Sequence, residues 1–376
     1  MATRNICRRA YWFVLACAGL FLIHESAQAQ SKIDQNAAWI RGVVDSTLKA
    51  ENVPALSLGI VQDGRLVFSE GFGTIDRESS KEVDGSTIYQ IGSDSKKLTA
   101  IIAKNLALEG LLDFDEPIGT YLGSSITEEA HEKLKGVTMR LLLQHRAGVP
   151  YRPPTNRRVD GDPMLIPYSE KDLLNDLNNL VMRSEPGTDS GYSNFGFAIA
   201  GYICERASGE SYAVLLQKYL AEELELTATI VDPSEKQIPQ IAIPYRKDDR
   251  LVKSQRWNMG KMTPAGGVFS NINDSATLMI AQLDAYRRFE EVSDKGHPLI
   301  LTDPHEEEGR YYGFGLGKTV YEYGTRYGHG GDLDGFASAY MFSPKQNGGL
   351  IFFTTSGGRW VGRLESQLHT RLFGEN

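Results

Sequence analysis

The chain has 376 residues, 40 basic and 48 acidic, with a net charge of −8 at neutral pH. That length is ample for one large core with an inserted lobe, and the mildly acidic balance, without a dense Lys/Arg stripe, argues against a nucleic-acid partner. The seven histidines are scattered, and His131-Glu132 and His305-Glu306 each lack the second histidine, four places after the first, of a zinc-binding helix, so neither a metal nor another cofactor is expected.

In chain order, Arg4, Arg8 and Arg9 precede an apolar run from Ala10 to Ile23, followed by an Ala27-x-Ala29 pattern. The run is short for a spanning helix and suits a secretory signal peptide over residues 1–29. The expectation is therefore a mature protein from Gln30, periplasmic or secreted, with no stable membrane anchor once the signal is removed. Cys7 and Cys17 would leave with that segment, and Cys204 alone cannot pair within the chain. Its helical, apolar setting reads as a buried structural thiol.

Residues 35–51 pattern as an amphipathic helix. A hairpin follows, in which "ALSLGIVQ" and "RLVFSEGFG" flank the turn Asp63-Gly64. The β-prone run Thr87 to Gln90 leads into "IGSDSKKLTA", where a helix opens with Leu98, Ile101, Ile102 and Leu106 at apolar spacing. From about Lys96 to Trp257 the periodic segments are helical, separated by polar loops such as Pro150 to Tyr168. The C-terminal part is strand-rich again: "FASAYMF" and "LIFFTTS" flank a turn, and a last helix places Val361, Leu364, Leu368 and Leu372 on one face. Strand-rich ends around a helical middle predict one sheet built from both termini. The expected division is a sheet subdomain over 30–95 and 259–376, with an inserted helical subdomain over 96–258.

Three local constellations carry candidate chemistry. In the first, Ser93 and Lys96 stand three residues apart at a helix start, where one helical turn brings hydroxyl and ammonium together and free backbone N–H groups favour developing negative charge. A serine needs a nearby base to attack a carbonyl, and burial lowers a lysine pKa. A capping serine with a surface lysine has the same spelling. Ser46 and Lys49 repeat the spacing inside an amphipathic helix, and Lys97 competes geometrically with Lys96. The second constellation, Tyr192-Ser193-Asn194, sits at a loop-to-helix junction, where it is either a proton relay with an amide ligand or a packed tyrosine with a capping asparagine. In the third, Gly328-His329-Gly330-Gly331 leads into a strand. It is either a close-approach site for a substrate backbone with an oxyanion-binding N–H, or a glycine-rich turn with an incidental histidine.

Taken in order, Ser93-x-x-Lys96, Tyr192-x-Asn194 and His329-Gly330-Gly331 resemble the signature of the serine β-lactamase and penicillin-binding-protein superfamily. With tyrosine heading the second motif, they are most similar to its class C β-lactamase-like branch, which includes D-alanyl-D-alanine carboxypeptidases, D-aminopeptidases and esterases. "LLLQHRAGVP", "PAGGVFSNINDSA" with Ser270 and Asp274, and "YGFGLG", read as a strand ahead of the third motif, extend the resemblance over nearly the whole chain. It implies an α+β fold: an antiparallel sheet from both chain ends, flanked by helices, with a mainly helical lobe beside it.

By the same resemblance Ser93 is the nucleophile, Lys96 its activating partner and Tyr192 the proton shuttle. Asn194, His329 and Gly331 bind substrate, and the backbone N–H groups of Ser93 and Asp332 form the oxyanion hole. Ser46 and Lys97 have no counterpart role. The implied activity is hydrolysis of an amide or ester through an acyl-enzyme, a D-amino-acid peptide or short ester foremost. A class C-type β-lactamase and a non-catalytic penicillin-recognising sensor are the alternatives. His329 stands where class C β-lactamases carry lysine, so the site loses a fixed cation, and Asp332 is expected to disfavour anionic ligands further. The partner would be a small molecule or short peptide, with Arg152, Arg157 and Arg158 placed to meet an acidic one.

Overall fold

The computed structural model describes residues 33–155, 166–288, 296–303 and 312–374. The signal-peptide reading, with Cys7 and Cys17, lies outside the described residues, as do Arg157, Arg158, His305 and Glu306.

The first helix, α1 (residues 33–51), delivers the chain into the hairpin of β1 (Ala55–Gln62) and β2 (Arg65–Gly73). Its turn holds Asp63 at φ 51° and Gly64 at φ 74°, the left-handed pair that a two-residue hairpin with native twist demands. A short strand β3 (Tyr89–Gln90) precedes α2 (Ser95–Leu108), and β3 pairs with β4 (Phe269–Ser270) in a separate two-stranded ribbon. The lobe then runs through α3 (Gly119–Leu122), α4 (Glu128–Leu134), α5 (Met139–Leu143), α6 (Glu170–Asn178), α7 (Asn194–Ser208), α8 (Tyr212–Leu216) and α9 (Thr263–Gly266). The chain returns through α10 (Ile272–Arg288) to strands β5 (Gly317–Tyr321), β6 (Gly324–Asp332), β7 (Ala337–Ser343) and β8 (Gly348–Thr354), and closes with α11 (Trp360–Phe373).

The sheet order β2-β1-β8-β7-β6-β5 is antiparallel throughout, so both termini contribute to one surface as the sequence pattern predicts. Side chains alternate between its faces. Leu56, Leu58, Ile60, Leu350 and Phe352 face outward against α1 and α11, whereas Ile351, Phe353, Tyr340 and Phe342 face inward with the helical lobe. On α11, Trp360, Leu364, Leu368 and Leu372 are all buried in the outer layer, each contributing roughly 1.5–3 kcal/mol.

Helix α2 is buried over more of its surface than its apolar spacing predicts. Besides the four apolar positions named from the sequence, Lys96, Lys97, Thr99 and Lys104 are buried, because α7, α9 and the sheet close around it. Two further readings are corrected. Gly328 to Gly331 do not lead into a strand; they lie within β6 itself, since Tyr327 to Asp332 pair in register with Phe342 to Ala337. "YGFGLG" is not a strand, for β5 begins at Gly317; its residues bend, with Gly315 at φ 73°.

Candidate active site

Ser93 lies in a single 3-10 turn, Gly92–Asp94, immediately ahead of α2. Gly92 adopts φ 57°, and a Cβ there would lie 3.1 Å from both the Asp332 backbone N and the Gly331 Cα. The turn thus requires a glycine twice over, for conformation and for clearance. The end of β6 presses against it equally closely, since a Cβ on Gly331 would fall 1.9 Å from the Ile91 carbonyl oxygen. This fit brings the Asp332 backbone N beside the serine turn. Strand β5 accompanies β6 only as far as Gly328, so one edge of His329 to Asp332 carries no strand among the described residues.

Lys96 is fully buried, which removes the surface-lysine alternative. Its Nζ lies 3.1 Å from Ser93 Oγ, 2.8 Å from Asn194 Oδ1 and 2.5 Å from the Ala265 carbonyl oxygen. No carboxylate is among these partners, and burial holds the amine well below the usual lysine range. A neutral amine has two N–H donors and one lone pair. Asn194 and Ala265 take the donors, leaving the lone pair for the Ser93 hydroxyl proton.

Lys97 does not compete for Ser93. Its Nζ forms an ion pair with buried Asp94, donates to the Asp94 carbonyl at 3.3 Å and sits 3.9 Å over the Tyr340 ring. Ser46 is on the exposed surface of α1, bonded back to the Val43 carbonyl at 3.0 Å.

Asn194 is the first residue of α7, but Ser193 is the cap, its Oγ accepting from the Gly196 N–H at 2.8 Å. The asparagine is therefore free of capping and turns its amide to Lys96. Tyr192 is partly exposed, with its phenol close enough to Ser93 to feel it, and the Lys96 Nζ is 4.9 Å from its ring centroid. Burial raises the phenol pKa, with the Ser93 contact opposing; the tyrosine is protonated at neutral pH even though part of its ring meets solvent.

His329 faces the same space, 6.1 Å from Tyr192 and 5.9 Å from Tyr312 between ring centroids. Its Nδ1 lies 2.6 Å from the Gly330 carbonyl. Burial, the largest cause, holds the imidazole below its usual range. The residue is only half-buried, so solvent moderates the effect, but the direction leaves it neutral at pH 7. The Asp332 carboxylate pairs with Lys247 Nζ at 3.0 Å across an exposed contact, which offsets part of the negative charge expected there.

Ser270 and Asp274 are structural. Asp274 accepts from the Ala228 N–H at 2.7 Å and the Thr229 hydroxyl at 3.0 Å, and Ser270 is buried in the same network. Cys204 is buried and free, its thiol raised by burial. Arg152 lies over the Tyr151 ring at 5.2 Å. Sequence reasoning missed Ala265, which acts through a backbone carbonyl and leaves no side-chain signal. It also missed His145 and Tyr312, whose strings were noted only as framing. Among the described residues no cluster of His, Cys, Asp or Glu could hold a metal ion, and no helix is long and apolar enough to cross a membrane.

A helix-start serine bonded to a buried lysine, a tyrosine and asparagine from a second helix start, and a glycine-tight strand edge define the serine β-lactamase and penicillin-binding-protein superfamily. The Beta-lactamase family model matches residues 40–369, and the chain belongs to that family. Among curated relatives, the protein flp of Staphylococcus aureus is 22% identical over 336 residues, covering 88% of this chain and 65% of the relative. A β-lactamase of Providencia stuartii is 24% identical over 305 residues, covering 80% of this chain and 73% of the relative. The chain thus spans just under two thirds of the length of flp. Two solved structures share the fold. An octameric penicillin-binding protein homologue from Pyrococcus abyssi superposes with a TM-score of 0.74 at 24% identity, covering 91% of this chain and 78% of the other. A class C β-lactamase from Rhodobacter sphaeroides gives 0.73 at 19% identity, covering 90% and 98%.

Proposed function

We propose that this protein is an exported serine hydrolase that cleaves a small amide or ester, a D-amino-acid peptide or short ester, through an acyl-enzyme on Ser93. The observation that carries the reading is the Lys96 environment: a buried amine whose hydrogen-bond partners among the described residues are Ser93, Asn194 and a backbone carbonyl. Lys96 takes the Ser93 proton as Oγ attacks the carbonyl carbon. The backbone N–H groups of Ser93 and Asp332 hold the oxyanion, and loss of one such donor typically costs roughly 100- to 1000-fold in rate. Tyr192, protonated at neutral pH, passes a proton to the leaving group and is reprotonated with the proton that Lys96 took from Ser93. Asn194 and the free edge of β6 at His329 and Gly331 align the acyl part, and water then releases it.

The fold likeness to a class C β-lactamase favours β-lactams as a second reading. The neutral His329 argues for uncharged or weakly charged substrates instead, because it supplies no fixed cation for a β-lactam carboxylate. Intact mass after incubation with benzylpenicillin, run beside Ser93→Ala, tests both. A Ser93-dependent adduct that persists supports a peptidase, and one that turns over supports a β-lactamase. Without an adduct, Ser93-dependent cleavage of short p-nitrophenyl esters or D-amino-acid amides is the expected result; its absence as well contradicts the proposal.

A further inference from the structure

His145 has no part in the chemistry set out above, yet it is tied to Tyr192 on both sides. Helix α5 ends at Leu143, and His145 follows in the left-handed region, at φ 58°. That conformation aims its carbonyl and its ring at the same distant segment. The carbonyl accepts from the Gly191 N–H at 2.8 Å, and ring Nδ1 accepts from the Ser193 N–H at 3.1 Å. These are the residues immediately before and after Tyr192. Between the two bonds the imidazole lies 4.3 Å from the Tyr192 ring, centroid to centroid.

We infer that His145 is a positioning residue: as a neutral imidazole with its proton on Nε2, it holds the Gly191–Ser193 segment so that the Tyr192 phenol meets Ser93. The inference rests on the proposed role of Tyr192. An Nδ1 that accepts a backbone N–H must be bare, so the neutral ring carries its hydrogen on Nε2. The ionisable groups facing the ring are Lys96 from α2, Tyr192, Tyr312 and, from β6, His329. None of these is an acid that would hold an imidazolium. Burial, the largest cause, lowers the ring's basicity. Protonated Nδ1 would set two N–H groups against each other and push the tyrosine segment outward.

Two substitutions separate the acceptor from the ring. Asparagine tolerates the left-handed backbone and offers an amide oxygen near the Nδ1 position; phenylalanine keeps a ring and offers no acceptor. With p-nitrophenyl acetate as substrate, His145→Phe is expected to lower kcat about tenfold or more with KM little changed, as for a displaced catalytic group. His145→Asn is expected to stay within about threefold of the parent. Thermal melts check folding, and His145→Gly, which has no acceptor but suits the backbone, replaces His145→Phe if the latter does not fold. Equal losses in both variants, or full activity without the acceptor, would overturn the inference. Nitrogen-15 spectra of the histidine ring and the Tyr192 phenol carbon resonance supply a readout independent of turnover. Bare Nδ1 at pH 7, with a Tyr192 resonance that moves in His145→Phe but not in His145→Asn, supports positioning; protonated Nδ1 or an unmoved resonance contradicts it. Absence of Ser93-dependent turnover in the parent protein would count against the hydrolase reading alone, because these spectra need no reaction.

Discussion

Lys96 and Lys97 are neighbours on the first turn of α2, both buried, yet they occupy opposite electrostatic worlds. Lys97 meets a carboxylate, Asp94, together with the face of Tyr340. Among the described residues, Lys96 hydrogen-bonds only to neutral oxygens. Burial lowers the basicity of both amines, but at Lys97 the Asp94 carboxylate opposes it, whereas at Lys96 no acid does. Burial by itself therefore does not make a lysine a base. On the proposed reading the absence of an acid beside Lys96 does, and the same turn supplies one residue for chemistry and one for holding the serine turn in place.

The largest expected effect breaks the Lys96 side. Lys96→Met should lower Ser93-dependent hydrolysis by at least about 100- to 10,000-fold, the range for removing a general base, while Lys97→Met, assayed at a temperature where it is folded, should lose far less. Equal losses in steady-state kcat/KM would erase the distinction. Next comes stability. Lys97→Met leaves Asp94 buried without its ion, and denaturant melts should show a loss of about 3–5 kcal/mol. The double variant Asp94→Asn with Lys97→Met should recover part of it, and no recovery would show that the pair is not what the first variant broke. Gly331→Ala ranks third: its methyl would collide with the Ile91 carbonyl and move the Asp332 N–H, so a rate loss of roughly 100-fold is expected with substrate acylation as the readout.

The smallest effect is a pH slope. The folded pKa of Lys96 lies well below the ordinary 10.5, so between those two values the unfolded chain binds more protons than the native one. Stability conferred through this group therefore rises with pH across that window. Lys96→Met should flatten the rise seen in melts from pH 7 to 10; an unchanged slope would mean that the native lysine titrates near its ordinary value. The acylation rate of the parent protein should climb with pH through the same depressed pKa.

Much of this site was legible in the sequence because it is spelled locally. Ser93 and Lys96 are one helical turn apart, and Tyr192 and Asn194 straddle a capping serine, so short-range geometry fixes each pair. The β1–β2 hairpin was equally local, set by Asp63 and Gly64. The relations that distinguish the two lysines were not. Ala265 reaches Lys96 through a carbonyl 169 positions away, and Lys247 pairs with Asp332 across a separation of 85. Neither leaves a pattern in a window of residues. His145 stood unremarked within "LLLQHRAGVP", for its ring bond to Ser193 spans 48 positions. The glycines near the end of β6 read as leading into a strand rather than as part of one, because glycine has poor strand propensity; there the missing side chains are what lets the strand press against the serine turn.

The most direct test of the account is the protonation state of the two lysines in the folded protein, read from carbon-13 and nitrogen-15 shifts of labelled lysine side chains at pH 7, with Lys96→Met and Lys97→Met for assignment. The account predicts a neutral amine at Lys96 and a charged ammonium at Lys97. A Lys96 that remains an ammonium to the ordinary lysine pKa would contradict it, and Ser93 would then need another base.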